Sequence, residues 1–177
     1  MNLQAVLGLA RHLLRLPKRF PVEVSEPEKP GSWLIFTDNQ GVGQALAERF
    51  KAYEQTPILI SHSETYQHVE ANRFQLNPTR PEHIQQLIET VRAEQPACRG
   101  IIHLWSLDTL ENTTAVIESA QTLGCLSVLY LVQALAQVNW ENTPQLWLVT
   151  QATQTVGDLN SPFGCPVCSV GFRTSHH

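Results

Sequence analysis

The chain has 177 residues, 42% of them hydrophobic, with 12 basic against 16 acidic side chains and a formal net charge of −4. That is enough chain for one domain with a proper core and too little for two. The acidic balance argues against a nucleic-acid partner, which needs a concentrated basic face. No apolar run approaches the roughly 18–20 residues of a membrane span. Four cysteines, Cys98, Cys125, Cys165 and Cys168, in a chain without a secretory signal read as reduced thiols of a cytoplasmic protein.

Residues 1–32 stand apart. Leu3, Val6, Leu7, Ala10, Leu13 and Leu14 fall near helical spacing, with Arg11, Arg15, Lys18 and Arg19 among or after them. This is an amphipathic helix, either a docking element or linker, or a membrane-surface or transit segment. Pro17, Pro21, Pro27 and Pro30 then break the chain before the domain proper.

From Trp33 onward, apolar runs alternate with helical patterns. Strands are expected over residues 33–37, 57–61, 73–77, 100–107 and 145–149. Helices are expected over 43–54, over a short segment 65–71, over 80–96 and in a long region from about 112 to 138, interrupted at Gly124. Ile84, Leu87, Ile88 and Val91 share one face of the third of these. Pro81 suits its first turn and Pro96 its end. Unbroken apolar strands separated by helices predict an α/β Rossmann-like parallel sheet with helices on both faces. Residues 126–138 are apolar nearly all round, more than one sheet face requires, so a second partner is expected there: another domain, another subunit or the neighbouring helix.

The turn after the first strand, Asp38-Asn39-Gln40-Gly41-Val42-Gly43, has the parts of a dinucleotide-binding fingerprint. Read as G-x-G-x-x-G from Gly41, its third glycine position holds Leu46. In the T-G-x-x-x-G-x-G spacing of short-chain reductases, Thr37 stands where the first glycine belongs. Asp38 adds negative charge beside the phosphate position. The second strand ends on Ser61, His62 and Ser63, without the acidic residue or arginine that reads a ribose or its phosphate. No cofactor-binding residue is expected, and the two glycines are read as letting the chain reverse tightly.

Catalytic residues are not expected either. Four positions after Tyr53, Tyr66 and Tyr130 lie Pro57, Glu70 and Ala134, so no tyrosine has the lysine that lowers its pKa in short-chain reductases. His103, between Ile102 and Leu104, reads as a core histidine, and Asp108 as a turn or capping residue. Cys165, Cys168, His176 and His177 lack standard zinc-finger spacing, and no metal site is expected.

Together, "WLIFTDNQGVGQALAERF", "GIIHLWSLD" and "PQLWLVTQATQTVGD" resemble the ketoreductase region of modular type I polyketide synthases. The resemblance is to its N-terminal structural half, a truncated and degenerate short-chain-reductase fold that braces a catalytic half. It covers residues 33–158. It implies a non-catalytic scaffold for NADPH-dependent reduction of β-ketoacyl thioesters, with NADPH bound by the catalytic half and not by this chain. The implied partners are that half, other synthase domains and, indirectly, an acyl carrier protein. A homodimer, or an independent module that binds a nucleotide, another anion or a protein, is the alternative.

After Ser161-Pro162 the sequence leaves the family's pattern. Codons available to residues 172–176, read one base later, allow Phe-Glu-His-Pro, which that pattern contains. Residues 159–177 are therefore read as an out-of-frame, disordered tail.

Overall fold

A computed structural model describes residues 30–95, 97–108, 121–151 and 167–172; the side chains described are those of residues 30–95, 97–108 and 121–150. Seven strands form one sheet: β1 (Ser32–Phe36), β2 (Thr56–His62), β3 (Gln67–Glu70), β4 (Arg73–Leu76), β5 (Cys98–His103), β6 (Gln145–Gln151) and β7 (Val167–Phe172). Their order is β3-β4-β2-β1-β5-β6-β7. The five central strands run parallel, and the edge strands β3 and β7 are antiparallel to their neighbours. This is the expected Rossmann-like architecture, and its five parallel strands fall at the five expected strand positions, four of them apolar runs and β4 an alternating one.

Alternation along β1 divides the core into two layers. Leu34 and Phe36 join Ile58, Ile60, Phe74 and Leu76 on one face. Two helices cover that face: α2 (Pro81–Glu94) and α3 (Ser127–Gln137). Ile84, Leu87, Ile88 and Val91 of α2 are all buried there. Truncating any one of them to alanine is expected to cost about 2–4 kcal/mol. Trp33 and Ile35 point the other way, against Val42, Leu46, Ala47 and Phe50 of α1 (Val42–Ala52). Trp33 stacks on Phe50 with ring centroids 4.8 Å apart. Helices thus cover both faces.

Several local expectations are corrected. Residues 65–71 contribute not a helix but the strand β3. "QHVE" has no apolar stripe for a helix to bury. Its backbone instead completes the edge of β4, and His68 stacks on Phe74 at 4.2 Å. The strand expected over 100–107 ends at His103: Leu104 still donates its amide to Phe36 O of β1 at 3.0 Å, but its own carbonyl accepts Leu107 N at 2.8 Å and turns the chain out of the sheet. A 3₁₀ turn, Trp105–Asp108, follows. At Gly124 the helical path is a π turn, Gln121–Leu126, that leads into α3. Residues 167–172, expected within a disordered tail, form β7 along the outer edge of β6, from Leu146 opposite Phe172 to Gln151 opposite Val167. Pairing there satisfies backbone groups that the open edge of β6 would otherwise present to solvent.

Candidate functional site

In a parallel sheet, ligands bind outside the carboxyl ends of the strands, where the chain departs in opposite directions from neighbouring strands. Here that place is the crevice between β1 and β5. The turn from β1 into α1 forms one wall. Gly41 has a φ of 89°, a left-handed conformation that side chains disfavour, and a Cβ there would meet nothing within 4 Å. Gly43 has a different task. A Cβ on it would lie 2.8 Å from Thr37 Cγ2 and 3.0 Å from Thr37 Cα, so glycine lets the helix approach the strand. Leu46, at the third fingerprint position, is fully buried in the core beneath α1.

The first two amides of α1, with that of Gln40 in the turn before it, converge on the carboxylate of Asp38. Oδ1 accepts Gly43 N at 2.7 Å, and Oδ2 accepts Val42 N and Gln40 N, each at 3.1 Å. Asp38 is itself buried. A helix begins with unpaired N–H groups and a partial positive charge, and a carboxylate satisfies both. The sequence signals the charge but not that the side chain turns back onto the helix. A dinucleotide's pyrophosphate requires these same amides, so the residues present do not fit that group.

The opposite wall is tied to the first. Asp108 Oδ1 accepts Asn39 N at 2.7 Å and Oδ2 accepts Asn39 Nδ2 at 3.2 Å. Gln40 Nε2 donates to Leu107 O at 2.7 Å. His62 Nε2, from the end of β2, lies 3.2 Å from Asn39 Nδ2 and 3.3 Å from Asp108 Oδ2. Its ring meets Trp105 edge-on at 5.7 Å. Three turns, after β1, β2 and β5, are therefore joined across the crevice. Asn39 and Gln40 were not foreseen as participants; the turn-forming habit of Asp-Asn is their only sequence signal.

The other candidates are dispersed. His103 is buried, its Nε2 3.0 Å from Ser127 Oγ, which donates in turn to Leu123 O at 2.6 Å. With the hydroxyl proton committed to Leu123, His103 donates through Nε2–H and ties β5 to α3. Burial pushes its pKa from 6.5 down to about 3. Ser63 closes a local turn with Thr65. Ser61 lines a cavity of about 170 Å³ with Thr37, Asp38, Gln44, Arg73 and Gln75. Arg73 there already approaches Glu70 Oε2 at 3.9 Å. Tyr53 is exposed beside Arg49, and Tyr66 and Tyr130 pack against the core. Cys98 is buried and Cys125 exposed. The side chains of Cys165, Cys168, His176 and His177 lie outside the described residues. Among the described residues no three metal-ligating side chains gather, and no helix is long and apolar enough to cross a membrane.

One surface remains unexplained by the core. On α3, Leu131 and Ala134 are buried, whereas Leu129 is 50% and Val132 46% exposed, with Leu126 just before them at 38%. They form an apolar stripe on the outer face of the helix.

The chain is thus an α/β, Rossmann-like sheet with a carboxylate seated on the amides of its glycine turn. Comparison with known families places it further: residues 31–164 match the model of the beta-ketoacyl synthase-like, N-terminal family, and the chain belongs to that family. A solved structure similar to it is "Adenylation, ketoreductase, and pseudo Asub multidomain structure of a keto acid-selecting NRPS module". The two are 28% identical with a TM-score of 0.53, over 67% of this chain and 10% of that one. Another is "crystal structure of an N-terminal ketoreductase from macrolactin assembly line", 19% identical with a TM-score of 0.49, over 67% of this chain and 24% of that one. The chain thus spans a small part of the proteins it resembles. No curated protein matches it.

Proposed function

We infer that the chain is the non-catalytic, structural half of a ketoreductase from a modular synthase. The carrying observation is the Asp38 carboxylate on the amides of Gln40, Val42 and Gly43. The group that a cofactor-binding turn would offer to phosphate is spent inside the protein. Family membership and the likeness to a module that contains a ketoreductase support the reading. On this reading the chain alone has no reductase activity. NADPH and the β-ketoacyl thioester, carried on an acyl carrier protein, belong to the catalytic half.

The scaffold's contact surface is the stripe of Leu126, Leu129 and Val132, where the apolar area exceeds what the sheet can bury. Mixing the chain with a ketoreductase catalytic half and assaying thioester-dependent NADPH oxidation tests this. Activity should rise above that of the catalytic half alone, and Leu129→Arg should abolish the rise. No rise with the wild-type chain would remove the scaffold role.

The family match ends at residue 164, two residues past Ser161-Pro162, after which the sequence leaves the ketoreductase pattern. This supports reading the chain as a natural fragment with an out-of-frame tail. DNA across codons 155–177 tests that: no family-like reading in a shifted frame would defeat it.

A further inference from the structure

We propose that Asp38 is an internal anion, which takes the place of a phosphate at the β1–α1 turn and excludes external anions from it. The turn is closed by one side chain, not by a collapsed backbone. Its backbone keeps the features an anion site needs. Gly41 holds the left-handed conformation, with open space where a Cβ would project. Gly43 lets α1 start close against Thr37. Three amides from Gln40, Val42 and Gly43 point at one place, at the start of an 11-residue helix. What fills that place is a carboxylate with the sign and oxygen geometry of the group it replaces.

The carboxylate is also well protected. Asp38 is 7% exposed, and the adjoining Asn39 and Gln40 are pinned to Asp108 and Leu107. An external phosphate would have to displace a tethered group at very high effective concentration and leave its charge buried beside the newcomer. Exclusion is therefore a matter of this residue more than of the missing glycine at Leu46. Removing the Asp38 side chain frees three amides and the helix's positive end together, while leaving Gly41 and Gly43 in place. This concerns the turn alone and holds whether or not the chain acts as a scaffold.

The test uses the full-length chain, labelled with ¹⁵N and titrated with inorganic pyrophosphate. The wild-type amides of Gln40, Val42 and Gly43 should not move. In Asp38→Gly the same three should shift saturably and with one dissociation constant, weakening as salt is raised. Saturable shifts in the wild type, or a folded Asp38→Gly whose three amides ignore pyrophosphate, would overturn the proposal. If Asp38→Gly does not fold, Asp38→Asn decides. It keeps one accepting oxygen and the volume, so Val42 and Gly43 amides should exchange with solvent about ten-fold faster than in the wild type. Unchanged exchange would show that the carboxylate does not hold them.

Discussion

Asp108 accepts the backbone amide of Asn39, 69 residues earlier in the chain, at 2.7 Å. This bond closes the crevice between β1 and β5 from the β5 side, as Asp38 closes the helix end from the β1 side. The side chain of Asp108 is only 5% exposed, whereas its partners Asn39 and His62 reach solvent. Asp108→Ala should destabilise the fold by about 0.5–1.5 kcal/mol, the net worth of the lost bond, because Asn39 is exposed and water can take up its amide. Asp108→Asn keeps one accepting oxygen and should lose less. Denaturant unfolding of the two variants checks both the size and the order.

The two glycines of the turn should respond differently to alanine. Gly43→Ala forces a Cβ against Thr37, at 2.8 Å from a methyl and 3.0 Å from backbone. A cost of about 1–3 kcal/mol is expected, from overpacking. Thr37→Ser, which removes that methyl, should recover part of it in the double variant. Gly41→Ala has free space but a φ of 89°, and should cost about 1 kcal/mol from backbone conformation alone. Thermal unfolding of the set separates sterics from conformation.

His103 sets an acid limit on stability. Burial lowers its pKa from 6.5 to about 3 in the folded state, so between these values the unfolded chain binds a proton that the folded chain refuses. Stability from this group is intact above about pH 6.5 and falls as pH drops toward 3, by at most about 1.4 kcal/mol per pH unit. Replacing His103 with glutamine, which can still donate to Ser127 Oγ, should flatten that slope. Urea midpoints measured across the window, wild type against His103→Gln, give the comparison.

The described thiols should differ sharply in reactivity. Burial pushes Cys98 up to about 12, and its Sγ lies 4.0 Å from Gly100 O. Cys125 is exposed beside the apolar stripe. Brief alkylation of the native chain at mild alkaline pH should label Cys125 and spare Cys98 until denaturant is added. Peptide mass spectrometry reads both sites at once.

The central parallel strands were legible because they are largely buried and so read as apolar runs, such as "WLIF" of β1 and "PILI" of β2, whereas β4, "RFQL", alternates buried Phe74 and Leu76 with exposed Arg73 and half-buried Gln75. The two edges were not. All four residues of β3 are exposed, so nothing in "QHVE" reports a strand except its pairing with β4. β7 forms where a tail meets the open edge of β6, a contact no local pattern announces. The site divides the same way. That the glycine turn departs from its fingerprint, at Thr37, Asp38 and Leu46, was visible in the residues. The joining of Asn39, His62 and Asp108 was not, because three turns far apart in sequence meet only once the sheet has formed.

The most direct measurement is calorimetry of the purified chain, titrated first with NADPH and then with a ketoreductase catalytic half supplied in trans. The scaffold reading predicts no heat with NADPH alone and saturable heat on mixing with the catalytic half, lost in Leu129→Arg. Saturable binding of NADPH to the chain by itself would contradict it, and would make the turn at Asp38 a cofactor site.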